Sequence, residues 1–114
     1  MKNRIRQIAK SLRAARAARM VNEETAIFVR YWLHQARRAA SLAEKARRLK
    51  RRAWQNGVEA PAAVRQAVYD ADNAVSSAIV VAEETLAGRL KAAARAATIF
   101  NRFLRDAQEA MKKN

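Results

Sequence analysis

A chain of 114 residues with 24 Lys and Arg against 10 Asp and Glu carries a formal charge of +14. Such a surface repels its own copies and attracts polyanions: nucleic acid, anionic lipid or acidic protein. The absence of cysteine excludes disulfides, thiolate catalysis and Cys-ligated zinc or iron–sulfur sites, and two glycines with one proline leave little material for loops.

These numbers point to an all-α protein with a single domain spanning residues 1–114. The apolar fraction is 51%, but much of it is alanine, which forms helix readily and buries little area per residue. The expected core is therefore thin, with helices in close approach, and a domain of this size gains from a second copy. The longest uncharged run, Asn73 to Ala82, is far short of the roughly 20 residues that cross a bilayer. No transmembrane segment is expected, and a cytoplasmic setting is the default.

In the first stretch, Ile5, Ile8, Leu12 and Ala15 form one stripe of a helix, with Lys2, Arg6, Lys10 and Arg13 opposite. Residues 1–22 also fit the pattern of a mitochondrial presequence, although the same patterning continues into the rest of the chain. Asn22-Glu23-Glu24-Thr25 then looks like an N-cap followed by acids suited to a helix N-terminus. The first helical arm, residues 2–55, is accordingly expected to kink or break near Met20 to Asn22.

Beyond the cap lies AIFVRYWL, apolar on every side except Arg30. That is more than one partner helix covers. Ile27, Phe28, Val29, Tyr31, Trp32 and Leu33 are therefore expected to form an oligomer interface, an apolar waist halfway along the molecule. Core packing is the reading for the aromatics Phe28, Tyr31 and Trp32.

Further along the arm, Arg38, Ser41, Lys45, Arg48 and Arg52 follow steps of 3, 4, 3 and 4, a stripe widened by Arg37, Arg47 and Arg51. Cations in the last turns favourably meet the helix dipole, and guanidinium groups in register suit phosphate oxygens. The candidate nucleic-acid contacts are thus Arg37, Arg38, Lys45, Arg47, Arg48, Arg51 and Arg52, with Arg6, Lys10 and Arg13 in the basic N-terminal cluster. Neither a zinc finger nor an RNP-type aromatic pattern is present, so binding is expected to read backbone and shape with little sequence specificity.

Asn56-Gly57 suits the left-handed end of the first arm, and Pro61 the first helical position of the second, placing the turn at residues 56–60. From Val64 the apolar positions run at 64, 68, 71, 75, 78, 82, 86, 90, 93, 97, 100, 104, 107 and 111. The mean step of about 3.6 is that of a straight helix, with no phase slip at Gly88. Residues 61–112 are therefore expected to form one helix. The result is an antiparallel hairpin of two long helices, each on the order of 75 Å if unbroken, pairing into a four-helix bundle-like oligomer. Folding at Gly57 is expected to bring residues 1–20 beside 97–114 and concentrate positive charge at the open end.

Catalysis has little to work with: one histidine, no cysteine and no glycine-rich phosphate loop. No enzyme activity, catalytic residue, cofactor or metal is assigned. His34 is the residue nearest to an exception, because the hairpin register sets it opposite Glu83 with Glu84 adjacent, and Glu84 is equally placed to neutralise Arg30. AWQNG at the turn is similar to the Trp-x-Gly turn of the small secreted helical hairpins of type VII secretion. Here, however, two residues separate Trp54 from Gly57, and the Tyr-x-x-x-Asp/Glu export signal after the second helix is missing. The small, basic, all-helical subunits of CRISPR effector complexes are similar in size and charge but offer no diagnostic residues. The reading is a non-enzymatic helical module that oligomerises and binds the DNA or RNA backbone; the alternative is an assembly module binding itself or an acidic protein partner.

Overall fold

The computed structural model describes residues 2–113, which form four helices: α1 (Lys2–Ala17), α2 (Glu23–Gln55), α3 (Ala62–Leu86) and α4 (Leu90–Lys112). The described residues contain no strand, so the chain is all-α. The long dimension is 55 Å, shorter than the 75 Å expected of unbroken arms, because both arms are interrupted.

The ends of α1, α2 and α3 share the same chemistry. At each helix end one residue takes a left-handed conformation: Arg19 (φ 56), Gly57 (φ 73) and Gly88 (φ 78). The amide of the following residue then reaches back five residues, as Met20 to Ala15, Val58 to Ala53 and Arg89 to Glu84, at 2.9, 3.0 and 2.9 Å. These are Schellman closures, which satisfy carbonyls that a helix end leaves open. Arg19 lacks glycine's freedom at positive φ, so the α1 end carries a local strain that the two glycine ends avoid.

The break after α1 falls where the Asn22 cap marks it. Asn22 is extended (φ −79, ψ 169), and its Oδ1 accepts from the Thr25 amide at 2.8 Å, with Glu23 and Glu24 in the first turn. Pro61 occupies the N-cap of α3, with ψ 148, and its carbonyl accepts from the amides of Val64 and Arg65. The first helical position belongs to Ala62 instead.

The expected single helix over 61–112 is corrected by the reversal at Ala87-Gly88-Arg89. Helix α4 turns back along α3, so α3 packs along both α2 and α4 while those two barely touch. Flanked on two sides, α3 buries a wider face than the predicted stripe, adding Ala67, Asp70, Ala74, Ile79, Val81 and Thr85. Helix α1 packs on α2 and α3 but not on α4. The four helices therefore come from one chain.

This path also overturns the expected charge layout. Ala110 packs with Ala46 and Ala67, and Ala107 with Ala43 and Ala71. The end of α4 therefore lies by the α2–α3 turn, with Lys113 beside Ala62 and Ala63, and not beside residues 1–20 at the open end. The bulky core sits at that open end: Ile5, Ile8 and Leu12 of α1 join Val29, Trp32 and Leu33 of α2, Val75 and Ile79 of α3, and Phe100 of α4. Trp32 and Phe100 meet edge to face, with ring centres 5.1 Å apart.

Candidate nucleic-acid interface

The α2 helix sorts its cations onto two faces. Arg37, Arg38, Lys45, Arg48 and Arg52 are all exposed, along the side turned away from the buried row Ala36, Ala39, Ala43 and Ala46. No carboxylate among the described residues pairs with Arg37, Arg38, Lys45 or Arg52. Arg48 differs, since its Nε lies 3.6 Å from Glu44 Oε1.

The inner flank is more neutralised. Arg47 is half-buried, and its Nη2 donates to both carboxylate oxygens of Asp72, at 2.6 Å to Oδ1, tying α2 to α3. Arg51 Nη2 donates to Glu44 Oε1 at 2.9 Å. That hydrogen bond, supported by the charges of Arg51, Arg48 and Arg47, holds the Glu44 carboxyl below its ordinary value despite some desolvation. Glu44 is thus an internal competitor for two of the candidate phosphate-binding guanidiniums.

The N-terminal candidates Arg6, Lys10 and Arg13 are exposed on α1 opposite Ile5, Ile8 and Leu12, and no carboxylate among the described residues pairs with them. Pairing in α1 is confined to its ends, through Arg4 to Glu83 and Arg16 to Glu23. These two pairs anchor the helix between α3 and the start of α2. Because α1 covers only the open end, its cations form a patch separate from the α2 stripe near the turn.

The apolar waist divides as well. Val29, Trp32 and Leu33 are buried by α1, α3 and α4 of the same chain, whereas Ile27, Phe28 and Tyr31 remain exposed. Only the second trio is available to a partner. Trp32 Nε1 is buried with no hydrogen-bond partner.

His34 is exposed, and the carboxylates expected near it are engaged elsewhere. Glu83 accepts from Arg4 and Glu84 from Arg89, while Arg30 approaches Glu23 and not Glu84. The Arg89 hydrogen bond lowers the Glu84 pKa, and the same contact raises that of Arg89. Among the described residues no group of three or more His, Asp or Glu is placed to hold a metal ion.

A cleft lies at the α2–α3 turn. Lys50 and Trp54 line it with Arg47 and Arg51, and Arg65 approaches from α3. Positions 47, 50, 51 and 54 have the i, i+3, i+4, i+7 spacing of one helix face, a signal legible in the residues but masked by the more conspicuous outer stripe. Comparison of the chain with protein-family models, curated proteins and solved structures found no match. None of the described helices is long and apolar enough to cross a membrane.

Proposed function

We propose that this protein is a non-enzymatic helical module that binds the phosphate backbone of nucleic acid with little sequence specificity. The observation that carries this reading is the outer face of α2, where Arg37, Arg38, Lys45 and Arg52 stand exposed without acidic partners among the described residues. Most acidic side chains are engaged by other arginines, including Arg4, Arg16, Arg47, Arg65 and Arg89. When such a row neutralises phosphates, the cations condensed on the nucleic acid are released, and that release drives association. Arginine's planar fork suits that contact.

Rigid α2 supports the reading, because a row of cations on one continuous helix meets a regular backbone without first being ordered. The sequence carries no zinc-finger or RNP-type aromatic pattern, so affinity is expected to vary little between unrelated sequences. The test is direct binding of the purified protein to random-sequence DNA and RNA at about 0.15 M salt. Binding tighter than the roughly 10⁻⁴ M limit of ordinary non-specific contact supports the function; weaker binding to both rejects it.

A second reading, assembly with another copy or an acidic protein, is favoured by the exposed Ile27, Phe28 and Tyr31. A contiguous apolar trio beside a cationic surface suits a partner that is itself apolar at its centre and acidic at its rim. Sedimentation distinguishes the cases. Self-association that Tyr31→Glu abolishes supports a homo-oligomer through this trio, whereas a wild-type monomer at micromolar concentration removes it.

A further inference from the structure

We propose that the cleft at the α2–α3 turn is a stacking site for an unpaired nucleobase, so that the preferred polyanion is single-stranded nucleic acid. This inference rests on the nucleic-acid reading above and adds to it a ligand class and a residue, Trp54.

The two tryptophans of the chain have opposite fates. Trp32 is 7% exposed and belongs to the core, whereas Trp54 is 80% exposed at the last turn of α2. Beside Trp54 the chain also leaves Val58 exposed, and with half-buried Val68 these side chains line a cleft of about 970 Å³. That volume lies at the upper end of the roughly 300–1,000 Å³ typical of small-molecule sites. Its lining is mainly apolar, with four cationic side chains and one carboxylate, that of Glu59.

The positive charges come from Arg47, Lys50 and Arg51, one and two helical turns before Trp54 on the same face, and from Arg65 across the turn. Lys50 has no acidic partner among the described residues, while Arg47, Arg51 and Arg65 share theirs with Asp72, Glu44 and Glu59. An indole face with cations at helical spacing leading up to it provides the two elements that hold a single strand: a stacking platform and a charged track. In a duplex the bases stack on one another and are paired, so reaching the Trp54 face would require flipping one out. An acidic peptide would meet the cations but gains nothing specific from the indole.

Trp54 is also its own reporter, since the other indole is shielded in the core. The experiment titrates the full chain with oligothymidylate of about 12 nucleotides, within the site size of single-strand binders, and with a duplex of equal phosphate count at the same salt. Indole emission and affinity are read for the wild type and for Trp54→Ala. The side chain is exposed, so the variant retains the fold, and its helical circular dichroism serves as the check.

The single strand is expected to quench the wild-type emission, and Trp54→Ala to bind it about tenfold more weakly. Duplex affinity is expected to stay within about twofold, because its phosphates use the outer stripe. Three results overturn the stacking site: no quenching, an equal loss for single strand and duplex, or an equal quench and loss with a poly-glutamate chain of the same length. The last assigns the cleft to acidic protein. If the wild type binds duplex and single strand alike with Trp54 silent, only this inference falls. If it binds neither, the backbone-binding function falls with it.

Discussion

The two ends of this molecule are stabilised by different means. At the open end, α1 and the start of α2 join α3 and α4 around bulky side chains: Ile5, Ile8, Leu12, Val29, Trp32, Ile79 and Phe100. At the turn end the fully buried layers are alanine, with Ala43, Ala71 and Ala107 in one and Ala46, Ala67 and Ala110 in the next, flanked by partly buried Leu42, Val68 and Met111. A bulky side chain removes much more apolar area from water than a methyl group does, so the first end supplies most of the burial energy. Alanine layers instead allow close approach of the backbones while leaving α2 free to present cations outward. Bulky burial is thus concentrated at the open end, while exposed cations stand at both ends, on α1 at the open end and on α2 towards the turn.

The largest break in that comparison is expected from Ile79→Ala. Ile79 is fully buried among the bulky side chains, and truncation should cost about 2–5 kcal/mol from lost transfer energy and the cavity left behind. Urea unfolding measures it. A loss below about 1 kcal/mol would mean the open end collapses around the gap and is not the dominant core.

At the other end the opposite change is informative. Ala71→Leu forces a larger side chain into a layer where Ala71 has no exposure, with an expected cost of about 1–3 kcal/mol. Tolerance of leucine there would show that the alanine layers are not tightly closed. A smaller effect of the other sign is expected from Arg19→Gly, which relieves the left-handed residue ending α1. A gain of up to about 1 kcal/mol should appear in the same unfolding experiment.

Glu44→Gln sharpens the charged half of the comparison. Removing the carboxylate frees Arg48 and Arg51, so affinity for nucleic acid should rise severalfold. Glu24→Gln makes the same change in net charge at an exposed residue of the open end and should have a weaker effect. Equal effects would mean that overall charge, and not the α2 face, governs binding. Acid acts on the same pair: Glu44 is held below its ordinary value of 4.5, so its contribution to stability is present above that value and is lost as pH falls through the lowered one. Protonation there likewise releases the two arginines.

The faces of the helices were more legible in the sequence than their continuity. The 3.6-residue period marks Val64, Ala71, Val75, Ala78, Ala82, Ala93, Phe100 and Ala107, all buried, and Val68, Leu86, Ala97, Leu104 and Met111, partly buried, but it also marks Leu90, which is exposed just past the reversal. The period runs on through Gly88 because α4 folds back with its apolar face against α3, so a reversal leaves the count undisturbed. Gly57 was readable as a helix end because Asn56 precedes it and Pro61 follows. Gly88 has no such punctuation, and only its φ of +78 reveals the stop. The dense apolar segment at 26–33 likewise announced burial of Val29, Trp32 and Leu33, but not that α1, α3 and α4 of the same chain would provide it. Among the site residues, spacing identified the exposed α2 stripe. The neutralisation of Arg47 by Asp72 and of Arg51 by Glu44 depends on side-chain geometry that spacing does not contain.

The central claim, that the outer face of α2 tracks phosphates, is tested most directly by the salt dependence of duplex DNA binding in wild type and in an Arg38→Gln, Arg52→Gln double variant. Glutamine preserves helix propensity, and both positions are exposed, so folding should be unchanged. Each lost phosphate contact removes about 0.9 from the log–log slope, so the double variant should bind more weakly to every sequence with a slope shallower by about two. An unchanged slope and affinity would contradict the account and move the phosphate contacts off this face.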